Sequence, residues 1–185
     1  MKQLLSTGVC LLLLTLVAAA QAAKDEPKTV PQVLNASASS MEREFVSAAE
    51  AMPEDKYAFV PTGGEFKGVR SFGEQVKHVA AVNYILGAAI LQEKPPAEIG
   101  GESGPESVKT KTEILKYLKE SFEYAHKAIG TVTEKNLLEP VKYPFGEGTI
   151  TRLALAGIVT SHGFDHYGQM VVYLRCNGIV PPASR

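Results

Sequence analysis

Four stretches of this chain set apolar side chains three and four residues apart, with most of the Pro and Gly lying between them. That spacing puts the apolar groups on one face of a 3.6-residue helix, and such a face must be covered. The first stretch runs from about Pro31 to Met52, with Leu34, Ala38, Met41, Phe45, Ala48 and Met52 as its stripe, and stops at Pro53. The second begins at Ser71, an N-cap with Glu74 three residues on, and buries Phe72, Val76, Val79, Asn83, Leu86 and Ile90 before Pro95-Pro96. The third, about Thr110 to Ile129, stacks Ile114, Leu118, Phe122, Ala125 and Ile129 beneath a Lys/Glu-rich outer face. The fourth spans about Thr151 to Asn177, with Gly178 as its left-handed cap and Pro181-Pro182 beyond. Four stripes are buried together most simply in an all-α four-helix bundle. The segment "EKPPAEIGGESGPESV" is long enough to be a crossover or a mobile rim over one end of the bundle. Gly146 and Gly148 in "KYPFGEGT" predict a tight turn or hairpin before the last helix.

The 185 residues, 45% of them hydrophobic, suffice for one domain with a core. Lys+Arg (19) and Asp+Glu (20) balance without a basic cluster, which argues against nucleic acid or a membrane surface as partner. The N-terminus differs in kind. Lys2, an uncharged apolar run and small residues at Ala20 to Ala22 read as a secretory signal peptide over residues 1–22. Residues 23–30 read as a flexible linker and 31–182 as the bundle domain, so an exported protein, periplasmic or extracellular, is expected. Cys10 would leave with the signal. The remaining Cys176 is then unable to form an internal disulfide and is expected to be a small buried residue near a helix end.

The chain has four histidines. At 100° per residue, Leu155, Val159, His162, His166, Met170 and Tyr173 fall within about 80° of one another, so two imidazoles share the buried seam. Side chains at i and i+4 lie one turn apart, their Cβ atoms ~5–6 Å from each other, and can converge on one ion. A buried imidazole must satisfy both ring nitrogens; an unpaired polar group costs about 1–3 kcal/mol. Alone, His-x-x-x-His also occurs by chance on exposed faces. His78, midway along the second stretch among Val79, Val82 and Ile85, points to a flank of the bundle and is the candidate third ligand.

His126 follows Glu123 in Glu-x-x-His spacing, half of a di-iron carboxylate pattern. A second such pair and two further inward glutamates are missing, so His126 reads as a surface or boundary residue. The haem-attachment spacing Cys-x-x-Cys-His is missing too.

Taken together, "SFGEQVKHVAAVNY", "SHGFDHYGQMVVYLR", the "AMPEDKYAFVPTGGEFKGVR" segment and the closing "LRCNGIVPP" resemble the DinB/YfiT-like superfamily over roughly residues 30–182. The resemblance implies an up-down-down-up bundle in which His78, His162 and His166 hold a divalent ion such as zinc or nickel. Members with assigned activities use the metal to activate a low-molecular-weight thiol; an export signal departs from that pattern.

Three nitrogen ligands leave a tetrahedral ion one open position, the arrangement of catalytic zinc. Two functional readings follow. One is an exported metal-dependent hydrolase or transferase acting on a small molecule. The other is a non-catalytic metal-binding or protein-interaction module, compatible with a homodimer through exposed bundle faces. No residue is assigned as catalytic: Asp165 lies 100° from His166, and Glu74 and Gln169 are candidates only for partners of the ligand rings.

Overall fold

The fold was read from a computed structural model, which describes residues 29–96 and 98–185. The expected signal peptide and most of the linker lie outside the described residues. Four helices carry the architecture: α1 (Val30–Ala51), α2 (Phe72–Leu91), α3 (Lys111–Ile129) and α4 (Arg152–Cys176). Short 3-10 turns occupy Glu54–Lys56, Gly101–Ser103 and Pro182–Ser184. The hairpin before the last helix is formed by β1 (Pro140–Lys142) and β2 (Thr149–Thr151), antiparallel with Val141 opposite Ile150.

The helix starts are where the side chains put them. Ser71 and Thr110 each accept from the backbone N–H three residues on while Glu74 and Glu113 reach back, two reciprocal capping boxes. Thr151 caps α4 through the N–H of Ala154. At the far end of α4, Gly178 takes φ of 71°, a left-handed conformation that glycine adopts without a Cβ penalty. Of the expected stripes only Leu34 and His162 are not fully buried; both are half-buried.

Side-chain contacts fix the helix directions. Tyr84 meets both Tyr117 and Tyr124, and Gly87 lies under Tyr124, so α2 and α3 run parallel. Met41 lies against Gly163 and Glu44 bonds Tyr167, so α1 and α4 run parallel as well. His126 reaches back to Asn35 and Glu42, and Arg152 reaches Ile90, which sets α3 against α1 and α4 against α2. The order is therefore up-down-down-up.

Parallel α2 and α3 leave the chain no short turn between them. Residues 92–110 must return along the bundle to the end where α2 begins, so the Pro/Gly-rich segment is a crossover. It brings Glu102 beside the first turns of α2. At the same end, the loop before α2 is tied down by the Gly73 N–H to the Tyr57 carbonyl (2.8 Å), the Tyr57 hydroxyl to Ala49 (2.7 Å) and the Tyr173 hydroxyl to the Arg70 carbonyl (3.0 Å).

Candidate metal centre

His78 sits two turns into α2 and His162 and His166 lie midway along the antiparallel α4, so the two helices present their rings at one level. Ligand atoms of all three rings lie within 4.8 Å of one another, and the ring centroids are 4.6–5.0 Å apart. The expected flank of α2 does face α4. His78 and His166 are buried and His162 half-buried.

The hydrogen-bond partners decide which nitrogens face inward. Nδ1 of His78 lies 2.7 Å from the Glu102 carbonyl oxygen. A carbonyl only accepts, so that nitrogen carries the proton and Nε2 presents a lone pair. For His166 the tautomer is set through a relay. The Asp165 carboxylate accepts from the Gln169 amide at 3.3 Å, and the Gln169 oxygen accepts from the Gln75 amide at 2.9 Å. That turns the Gln75 oxygen toward His166, whose Nδ1–H donates to it. Its Nε2 is thereby left bare.

Nε2 of His162 lies 3.1 Å from Nε2 of His78. Since the latter is a lone pair, His162 must place its own proton between them, and its buried Nδ1 then has no hydrogen-bond partner among the described residues. A cation in place of that proton fits the donor set: three imidazole nitrogens converge, two of them held from outside as metal-binding imidazoles generally are. The close pair is also near the ~3.3 Å separation of two ligands about 2.0–2.1 Å from a tetrahedral zinc.

Proton affinity follows the same geometry. Burial first, then the neighbouring rings, pushes His162 down to about 3. Burial first, then His78 and the Arg70 charge, takes His166 to about 4. His78 is also lowered by burial. All three rings are neutral at pH 7, the form that binds metal.

The sequence profile of the DinB superfamily matches residues 38–170. The chain belongs to the DinB superfamily. Among solved structures, this superfamily member is similar to a DinB-like protein from Bacillus subtilis (20% identity, TM-score 0.59, 78% of this chain and 92% of that one). It is likewise similar to a DinB-like protein from Bacillus cereus (15%, 0.59, 77% and 89%). A conserved protein from Enterococcus faecalis aligns at 15% identity and TM-score 0.63 over 80% and 97% of the two chains. At these identities the likeness concerns the fold. No curated protein matches the chain.

Of the other residues singled out in the sequence, His126 stands where expected and Glu74 and Cys176 do not. Glu74 is exposed and accepts from the Ser71 N–H at 2.7 Å, a cap contact that, with the Ser71 hydroxyl, lowers its pKa. The ring partner on α2 is Gln75 instead. Both flank His78 at helical spacing, three and four residues back, and only the position of α4 chooses between them. Gln169 belongs to the centre at one remove, through Gln75, and Asp165 is exposed and orients Gln169. Cys176 is exposed, contrary to expectation. It continues the face of Asp165, Gln169 and Val172, which is turned outward along α4. His126 is a boundary residue that ties α3 to Asn35 (2.7 Å) and Glu42 (2.8 Å) of α1, with Glu123 exposed beside it.

Proposed function

We propose that His78, His162 and His166 bind one divalent cation, zinc or nickel, and that the chain uses it as an exported hydrolase or transferase on a small molecule. The observation that carries this is the fixed tautomers: Glu102 and Gln75 hold the outer nitrogens of two rings so that their lone pairs meet the third ring at one point. A core that merely tolerated histidines has no use for two rings so oriented toward a third. When bound, such an ion supplies a Lewis acid for a carbonyl or phosphoryl oxygen, or lowers the pKa of a coordinated water toward 7.

The chain's own residues supply the setting. Gln75 and the Glu102 carbonyl hold the rings, and burial keeps them unprotonated. Both helices bury apolar faces around the centre, which fixes where the rings stand, while the crossover contributes the Glu102 carbonyl. Residues 1–22 would direct the chain out of the cytoplasm.

The test is elemental analysis of the full chain after zinc or nickel loading, followed by chelation with circular dichroism and a screen of esters, phosphoesters and thiol conjugates. One ion per chain, activity lost on chelation and a fold that persists are the expected results. A loaded chain with no bound ion would remove the proposal. Loss of the fold together with the metal would favour a structural ion in a non-catalytic module.

A further inference from the structure

Beside the centre lies a polar hollow of about 330 Å³. Arg70, Glu74 and Lys77 form one wall, and Ser103, Gly104 and Glu106 the other. The second wall is the crossover whose Glu102 carbonyl holds His78, and Lys77 directly precedes His78 in α2, so hollow and centre share their supports.

The charges in this hollow are unevenly used. Lys77 donates to the Pro105 carbonyl at 2.8 Å, and the Glu74 carboxylate is taken by the Ser71 N–H. Glu106 is exposed. The half-buried Arg70 has, among the described residues, no carboxylate within ion-pair distance and no hydrogen bond from its guanidinium. Its backbone is not free to drift, because the Tyr173 hydroxyl holds the Arg70 carbonyl.

With a divalent cation on the three neutral rings, the Arg70 guanidinium adds a second positive charge, offset within the hollow only by Glu74, whose carboxylate already accepts from Ser71, and by the exposed Glu106. An anion arriving from the hollow removes the repulsion, and guanidinium is the side chain best shaped to grip two oxygens at once.

Resting on the metal reading above, we propose that Arg70 is the substrate-recognition residue of this centre, and that the substrate carries an oxyanion, a carboxylate or a phosphate, bound in the hollow beside it.

The test titrates the full chain, zinc-loaded and metal-free, with inorganic phosphate and separately with acetate, following the Arg70 Nε–H and neighbouring amides by NMR. The Arg70→Gln spectrum assigns the side-chain resonance. Saturable shifts are expected for wild type, with the tighter of the two anions indicating the substrate's group. Arg70→Gln should weaken binding by about tenfold or more while keeping its zinc, and Arg70→Lys should fall between. Equal dissociation constants for wild type and Arg70→Gln, or no saturable shift with either anion, would overturn the assignment. A wild-type chain without zinc would remove the metal reading alone, since the metal-free titration reports on Arg70 independently.

Discussion

The side-chain oxygen of Gln75 accepts the Nδ1–H of His166 across the α2–α4 interface, three residues before His78 in the chain. One helical turn of α2 thus contributes both a ring to the centre and the group that orients a ring from the opposite helix. Gln75 is buried, and its own amide is oriented by Gln169.

Replacing Gln75 with Leu keeps the volume and removes the acceptor. The His166 ring then loses the bond that selects its tautomer, and zinc affinity is expected to fall about 10–100-fold at unchanged stoichiometry. Competition against a zinc-binding dye measures this. An affinity equal to wild type would mean that the Gln75 contact does not tune the centre.

His162→Ala and His126→Ala separate ligand from tie. The first is expected to abolish stoichiometric metal binding. The second should keep one ion per chain yet cost about 1–3 kcal/mol of stability, because it frees Asn35 and Glu42 from their partner. Elemental analysis beside urea unfolding distinguishes them, and two variants that both retain metal would contradict the ligand assignment.

Acid should unfold the metal-free chain through this cluster. The folded pKa values of about 3 for His162 and about 4 for His166 lie below the ordinary imidazole value near 6.5. Below that value the unfolded chain binds more protons than the folded one, so stability is full above about pH 6.5 and declines as pH falls toward 4 and then 3. Urea midpoints at pH 7.5 and 5 should differ in wild type and converge in a chain with all three rings changed to Gln. Bound metal should steepen the decline, since protons compete for the same nitrogens.

Two helical glycines are expected to respond oppositely to Ala. A Cβ on Gly87 would stand 2.8 Å from the Tyr124 ring, inside the contact of α2 and α3. Overpacking of about 1–3 kcal/mol outweighs the ~1 kcal/mol gained in helix propensity, so Gly87→Ala should destabilise. Gly157 has nothing within 4 Å of its added Cβ and is exposed, leaving only the gain. Gly157→Ala should raise the urea midpoint.

Much of this fold was legible because its signals are local. Apolar spacing, the Ser71–Glu74 cap, Thr151 and Gly178 each act within one or two turns of the helix they define, and the seam holding His162 and His166 follows from helical repeat alone. The residues that finish the centre are of another kind. Glu102 contributes a backbone carbonyl, which has no letter in a sequence, and Gln75 is distinguished from Glu74 only by which side α4 occupies. Cys176 is exposed for a reason that is itself local: at i+7 and i+4 from Gln169 and Val172 it continues the outward face of the helix, which a small apolar side chain does not announce by its type.

The amino-acid order by itself determined four amphipathic helices, their ends, and a pair of imidazoles on one buried face, since backbone hydrogen bonding and a 3.6-residue repeat require nothing beyond the segment. Only the tertiary structure decided that α2 lies antiparallel to α4, that a crossover therefore returns past His78, and that Arg70 lines the hollow against that crossover with no ion-paired carboxylate among the described residues. Those facts depend on which faces pack together, a choice made by the whole core at once.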